Sequence, residues 1–119
     1  MAGALTISTL NNDTGVLATQ NGMTGIAKAW VNFSNSGAVV VNGSFNVSSV
    51  TNIGTGQYTV SFTTAMPTSN YTYSGSGTDG VNAFFLKPNT ATTGSFTGTF
   101  GNTTTNFNVV AGTMVFHGA

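Results

Sequence analysis

The chain has 119 residues, enough for one domain with a substantial buried core. It contains no cysteine and only four charged side chains, Lys28, Lys87, Asp13 and Asp79, so its net charge is zero. Polarity comes from 22 Thr, 14 Asn and 11 Ser. This composition excludes a disulfide-stapled scaffold, and two lysines are too few to neutralise a track of nucleic-acid phosphates.

A net charge of zero gives neighbouring molecules little electrostatic repulsion, which favours association. A protein destined for permanent assembly tolerates this. A secreted β-protein with well-hydrated Thr and Asn side chains tolerates it too, so composition leaves both interpretations open. The chain has no stretch approaching the roughly 20 apolar residues of a membrane helix, and its first residues lack the basic region of a secretory signal. We therefore expect no membrane insertion.

Residues 1–25 form a distinct opening segment. Leu5, Ile7 and Leu10 lie in a Thr/Ser context, and the turn-rich stretches NNDTG and TQNGMTG follow. This pattern predicts an extended arm or docking strand. An ordinary first strand followed by a long loop is the alternative.

From residue 26 to residue 119, apolar residues recur mostly at spacing two, which predicts a single all-β domain. Turn signals such as SNSG, GTG and KPNT separate the segments. The predicted strands are 26–33, 38–50, 57–64, 70–76, 81–87, 94–100, 105–110 and 112–117. The expected fold is a small antiparallel β-sandwich, jelly-roll-like, with an extended N-terminal arm.

The first two of these strands have clear faces. In the first, Ala29, Val31 and Phe33 share one face, which resembles a core face. In the second, alternation puts Val39, Val41, Phe45 and Val47 on one side.

The only tryptophan, Trp30, lies on the opposite side of the first strand, beside Lys28. We interpret Trp30 as the anchor of a subunit interface; a ligand platform and a core position at a bulge are the alternatives. Lys28 would contact a ring or carbonyl of the neighbouring subunit, or would stay solvated and discourage edge pairing.

Two later segments are apolar on both faces. VNAFFLK places Phe84 and Phe85 back to back, and Val115 lies between Met114 and Phe116. In a two-layer sandwich, only another subunit can cover the outer face of such a strand. We therefore expect a homo-oligomer interface that contains Trp30, Lys28, Phe84, Phe85 and Val115.

Residues for catalysis are scarce. His117 is the only histidine, the side-chain carboxylates are Asp13 and Asp79, and no nucleophile-elbow sequence occurs. We expect no enzyme activity, no cofactor and no metal site within one subunit, because one His and two Asp make no ligand cluster. Three copies of His117 on a threefold axis are the one alternative.

A ligand-binding loop is more plausible. The segment GSGTDG, residues 75–80, follows Tyr71 and Tyr73, and Gly/Ser loops beside aromatic rings suit sugar stacking and adaptable hydrogen bonding. Tyr73 and Asp79 are the candidate receptor-contact residues. A generic surface turn would have the same composition.

The stretch NGMTGIAKAWVNFSNSG, followed by SFNVSSVTNIGTGQYTVSFTTAMPTSNYTYSGSG, resembles a C-terminal module of tail-fibre and related virion proteins of tailed bacteriophages, notably marine ones. The match runs from about Asn21 to Gly77; beyond about Val81 only the style of alternating strands is shared. The resemblance implies a homotrimeric virion component that is exposed on the particle and concerned with host-surface attachment. It supplies no binding residues. Such modules normally end a longer fibre chain.

We therefore expect a structural virion protein of the homotrimeric tail-fibre or receptor-binding type, at the surface of a phage particle. Its partners would be its own copies, other virion proteins of the tail or capsid, and a host cell-surface glycan. The N-terminal arm, with Leu5, Ile7 and Leu10, would dock on the particle or hold the trimer together. The alternatives are a capsid decoration (cement) protein that stabilises the phage head and a free carbohydrate-binding lectin module.

Overall fold

A computed structural model of the chain describes Gly3, residues 9–11, residues 16–18 and residues 27–118. Ten strands lie within these residues, and they confirm the all-β prediction. The strands are β1 (Thr9–Asn11), β2 (Val16–Ala18), β3 (Ala27–Asn35), β4 (Val39–Phe45), β5 (Val47–Gly54), β6 (Gln57–Phe62), β7 (Thr72–Thr78), β8 (Ala83–Ala91), β9 (Ser95–Gly101) and β10 (Ala111–His117).

The strands form two antiparallel sheets. β1 and β2 pair with each other within the predicted arm, and the other eight strands form one sheet in the order β4-β3-β10-β7-β8-β9-β6-β5. β4 and β5 stand at opposite ends of this order, although only Asn46 separates them along the chain. The sheet therefore curls back on itself into a nearly closed barrel, and its strands do not divide into the two separate sheets of a sandwich.

Two predicted strands differ from the structure. The single strand predicted over 38–50 is wrong, because the chain turns at Asn46 and the two halves become the two edges of the sheet. The strand predicted over 105–110 is also wrong. That segment is a loop, in which Asn106 forms one isolated β-bridge with Gly101 at the end of β9.

Asn46 makes the corner between β4 and β5. Its φ is 56°, a left-handed conformation that asparagine tolerates better than most residues with a side chain. Its Nδ2 donates to the carbonyls of Lys28 and Thr64, both at 3.0 Å, and its Oδ1 accepts the N–H of Thr64 at 2.7 Å. Its own carbonyl accepts the N–H of Thr63 at 3.1 Å. One residue thus ties β3 and the segment after β6 to the corner where the edges of the sheet meet.

The first strand of the domain has the faces predicted for it. Ala29, Val31 and Phe33 are buried in the interior of the curled sheet, while Trp30 and Asn32 face outward. Aromatic rings dominate this interior, with centroids 5.0–6.2 Å apart in tilted or edge-to-face pairs. The fully or almost fully buried rings are Phe33, Tyr58, Phe62, Tyr71, Phe84, Phe96, Phe100 and Phe116.

The loop between β9 and β10 packs into this interior. Val109 is fully buried, and its N–H donates to the hydroxyl of Tyr58 at 3.3 Å. The same hydroxyl accepts a hydrogen bond from Nδ2 of Asn35 at 2.8 Å. Gly56 contacts the loop so closely that a Cβ there would lie 2.6 Å from the carbonyl oxygens of Phe100 and Phe107. The loop is therefore a built part of the core, although it adds no strand to the sheet.

Substitutions of Asn46 test its role in closing the sheet. Asn46→Gly keeps the left-handed backbone accessible but loses the side-chain hydrogen bonds, so we expect the free energy of unfolding to fall by about 1–3 kcal/mol. Asn46→Ala should lose about 1–2 kcal/mol more, because a Cβ disfavours that backbone conformation. Urea denaturation measures both differences.

Asn46→Asp is the matched control for the two donated bonds. It keeps the acceptor oxygen for the Thr64 N–H but loses the donors to Lys28 and Thr64. We expect stability between those of the wild type and the glycine variant. Wild-type stability in all three variants would show that the corner does not depend on this side chain.

Candidate functional site

One exposed surface stands out, the outer side of β4, β3, β10, β7 and β8. Directly opposite residues of antiparallel strands point to the same side, so the register defines three rows across this surface. We call these rows the outer face: Phe45, Trp30, Val115, Ser74; then Gly43, Asn32, Thr113, Ser76, Phe85; then Val40, Ser34, Ala111, Thr78, Ala83.

The outer face combines large apolar side chains with small polar ones. Trp30 is 42% exposed, Phe85 51%, Phe45 54% and Val40 55%. No residue of the three rows is charged. Soluble monomers rarely expose a contiguous apolar patch without a binding role, so the face has the character of an interaction surface.

The middle of the outer face is concave. A depression of about 480 Å³ lies beside Trp30 and is floored by small residues that include Ser74 and Ser76. A second depression of about 310 Å³ adjoins it and shares Asn32, Ser76 and Thr113 with it. The hollow exists because β7 and β10 present Ser, Thr and Gly between the rings of Trp30 and Phe85. Its size suits a large side chain or a small ligand.

Trp30 lies across the neighbouring strand. A Cβ on Gly43 would be 3.5–3.6 Å from Cζ3 and Cη2 of the indole, which is ordinary van der Waals contact. Phe45 is directly opposite Trp30 in the register, and Val115 is its partner on the other side. The interpretation of Trp30 as a core residue at a bulge is therefore wrong. Its roles as an interface anchor or a ligand platform stay predictions.

Phe45 is a residue of the outer face that sequence reasoning missed. Simple alternation from Val39 and Val41 put Phe45 on their side of the strand. The structure has an extra residue at Asn42, because Asn32 pairs with Gly43 while the next residue, Phe33, pairs with Val41. This β-bulge turns Phe45 outward beside Trp30. The Asn-Gly pair within a strand was the available signal, since Gly in a strand often marks a bulge.

Phe84 does not belong to the outer face. It is 5% exposed and stacks on Phe107 with ring centroids 4.6 Å apart. Its assignment to a subunit interface is corrected, because alternation along β8 sends Phe84 inward and Phe85 outward. Lys28 and Val115 are partly buried near Trp30, and their interface role stays a prediction.

The structure separates Tyr73 from Asp79. The segment predicted as a loop is mostly strand, since residues 75–78 belong to β7. Tyr73 packs on the buried ring of Phe96 at 4.7 Å. Asp79 lies beyond the other end of β7, about 20 Å further along the extended chain. The prediction that both residues form one receptor-contact loop is therefore wrong.

Asp79 instead organises the turn between β7 and β8. Its Oδ1 accepts the N–H groups of Asn82 at 2.7 Å and Val81 at 2.9 Å, and its Oδ2 accepts Nδ2 of Asn82 at 3.1 Å. These hydrogen bonds lower the pKa of the Asp79 carboxyl below its ordinary value, and the bond from the Asn82 N–H makes the largest contribution. The carboxylate serves a structural turn.

The remaining strands present a different exterior. Across β5, β6, β9 and β8 the register aligns hydroxyl residues in rows: Ser49, Ser61, Ser95; then Thr51, Thr59, Thr97, Thr90. The hydroxyls of Thr59 and Thr97 are 3.0 Å apart and hydrogen-bonded. This half of the sheet presents mainly neutral hydroxyls, with Ile53 on β5 as an apolar exception that is 54% exposed.

The predicted docking arm falls largely outside the described residues. Leu5 and Ile7 lie outside them. Leu10 is opposite Leu17 in the register of β1 against β2. A docking role for this segment stays a prediction.

Within the part of the chain that the structure describes, no group of three or more His, Cys, Asp or Glu lies close enough to hold a metal ion. In the same part, no helix is long and apolar enough to cross a membrane.

No family model, curated protein or solved structure matches this chain.

Adjacent phenylalanines test the assignment of core and outer face. We expect Phe84→Ala to lower the free energy of unfolding by about 3 kcal/mol or more, because it opens a cavity against Phe107. Phe85→Ala removes the same atoms from a half-exposed position and should change the stability of the isolated subunit by less than about 1 kcal/mol. Chemical denaturation at low protein concentration gives both values. Equal losses would contradict the assignment.

The turn carboxylate predicts a pH dependence. A lowered pKa in the folded state means that ionised Asp79 stabilises the fold above the unfolded-state value of about 3.9, and that this contribution is lost as the pH falls through the folded-state pKa. Asp79→Ala should therefore be less stable than the wild type at neutral pH, and the difference should shrink in acid. Asp79→Asn keeps an acceptor for the turn but has no charge to titrate, so its difference from Asp79→Ala should not shrink in acid. Thermal melts between neutral pH and pH of about 2 provide the measurement.

Proposed function

We propose that this chain is a non-enzymatic structural protein of a tailed-bacteriophage particle, of the tail-fibre or receptor-binding type, which works as a homotrimer with its outer faces covered by sister subunits. The observation that carries the assembly is the uncharged outer face with Trp30, Phe45 and Phe85 half-exposed. The phage setting is supported by the resemblance of AKAWVNF and YTVSFTTAMP to tail-fibre modules.

The outer face supplies part of the area of a subunit interface. Five strands about 4.8 Å apart and about seven residues long cover on the order of 550 Å², which approaches the roughly 800 Å² that each partner contributes to a standard interface. Loops at the rim, such as the turn that holds Val81, would add to this area. With the outer faces turned toward a threefold axis, each subunit would contact both of its sisters.

The chemistry of the outer face favours burial. Its three rows contain no charged side chain, so covering the rows themselves desolvates no charge, although Lys28 lies two residues before Trp30 on β3. Aromatic anchors surrounded by small polar residues are typical of the energetically important centre of an interface. The depression beside Trp30 would receive a side chain of the neighbouring subunit.

One observation favours a second candidate function, a carbohydrate-binding module. The indole of Trp30 borders a hollow whose polar groups, on Asn32, Ser74, Ser76 and Thr113, are neutral hydrogen-bonding partners suited to sugar hydroxyls. This function requires the hollow to be open to solvent. A subunit that is monomeric at micromolar concentration and binds neutral glycans would favour it over assembly.

Trp30→Ala tests the assembly. We expect the wild type to sediment as a trimer and the variant to dissociate at least tenfold more readily, because the largest half-exposed ring of the outer face is removed. Sedimentation velocity across a dilution series is the measurement. Ile53→Ala is the control, since Ile53 is 54% exposed on β5, which is not among the five strands of the outer face.

A wild-type protein that remains monomeric at every concentration would overturn the proposal. Where the trimer is found, the copy number in purified particles separates the two virion roles. Tens of copies or fewer correspond to a tail component, whereas hundreds correspond to a capsid decoration protein.

A further inference from the structure

Asn42 and Gly43 form an Asn-Gly pair in β4, at the margin of the outer face. Asn42 is exposed, and its Nδ2 donates to Oδ1 of Asn32 at 3.2 Å, near the long end of the ordinary range. β4 is an edge strand of the large sheet, so Asn42 is flanked by a neighbouring strand on one side only.

The backbone at this pair departs from regular strand geometry. The register of β4 against β3 skips Asn42, which makes it the extra residue of a β-bulge. Gly43 has no Cβ beside its nitrogen, so nothing on that residue obstructs the approach of the nitrogen to the side chain of Asn42. An exposed amide, an irregular backbone and a following glycine therefore coincide at one position.

We infer that Asn42 is a site of spontaneous deamidation, which places a carboxylate in the outer face. The main-chain nitrogen of Gly43 loses its proton and attacks Cγ of Asn42. A C–N bond forms, the Cγ–Nδ2 bond breaks, and ammonia leaves with the transferred protons. Water then opens the resulting cyclic imide at either carbonyl and gives aspartate or isoaspartate. One water is consumed, one ammonia is released, and no electron is transferred.

The consequence rests on the proposed assembly through the outer face. Asn42 borders the row that contains Gly43, Asn32 and Thr113, which has no cation. A carboxylate there would lose its hydration without gaining a partner when a sister subunit covers the face, and this opposes association. Assembled subunits would be protected from deamidation because the Asn42 amide is covered. Free subunits would deamidate with time and lose their ability to assemble.

The site is tested by incubating dilute protein at mildly alkaline pH and mapping its tryptic fragments by mass spectrometry. The chain contains a second Asn-Gly pair, Asn21–Gly22, and cleavage after Lys28 places the two pairs in different fragments. We expect the mass of the fragment that begins at Ala29 to increase by the difference between a carboxylic acid and an amide. That fragment would then be sequenced to place the change at Asn42.

Gly43→Ala is the matched control for the chemistry. A Cβ at this position meets the Trp30 ring at 3.5 Å, an ordinary contact, so the fold should be kept. We expect the variant to deamidate at Asn42 on the order of tenfold more slowly, because the added methyl hinders the attacking nitrogen. An intact Asn42 in the wild type while Asn21 reacts, or equal rates in the wild type and Gly43→Ala, would overturn the site.

Two further variants separate this inference from the assembly. Asn42→Asp should weaken self-association on the order of tenfold, whereas Asn42→Gln, which keeps a neutral amide, should not. If Asn42→Asp self-associates as tightly as the wild type, the proposed effect of deamidation on assembly is wrong. A monomeric wild type whose Asn42 still deamidates would overturn the proposed assembly and support the site.

Discussion

The closure of the sheet at Asn46 is the constraint on which the rest of the structure depends. One residue connects the two ends of an eight-stranded sheet, so the strands must curl until the edges approach each other. The cost of a left-handed backbone is offset by hydrogen bonds to the carbonyls of Lys28 and Thr64 and from the N–H of Thr64. Curling places all inward side chains around one axis, and the buried aromatic rings fill that space. Without the corner, β4 and β5 would be free ends of an open sheet.

The same curvature divides the exterior into two surfaces of different chemistry. On one side the rows are neutral hydroxyls, some of which bond to each other, as Thr59 does to Thr97. On the other side are the rings of Trp30, Phe45 and Phe85 around a hollow. With only four charged side chains and no net charge, the chain has little electrostatic repulsion to oppose association. The surface that is not covered therefore depends on its hydroxyl groups to interact with water. The contrast between the surfaces supports the proposal that the apolar one is covered in a particle.

Two of the charged side chains that the structure describes, Lys87 and Asp79, serve local geometry. Lys87 donates to the carbonyl of Asn102 at 3.1 Å and to Oδ1 of Asn106 at 2.9 Å, which fixes the loop after β9. Asp79 holds the turn after β7 through the N–H groups of Val81 and Asn82. Neither group lies in the rows of the outer face.

The sequence by itself determined the all-β class and the two faces of β3, because alternation of Ala29, Val31 and Phe33 with Trp30 and Asn32 follows directly from the pleat of a strand. It placed Trp30 on the side of β3 opposite the core face, with a core position at a bulge as one alternative, and it predicted both Phe84 and Phe85 for the interface. Only the tertiary structure decided that Phe45 joins Trp30 and Phe85 on the outer face, since a bulge at Asn42 reverses the alternation. It also decided that Phe84 stacks inside on Phe107 and that Tyr73 faces Phe96, away from Asp79. The physical reason is that alternation fixes sides only within one uninterrupted strand, whereas bulges, the corner at Asn46 and the partner of each strand are set by contacts between residues far apart in the chain.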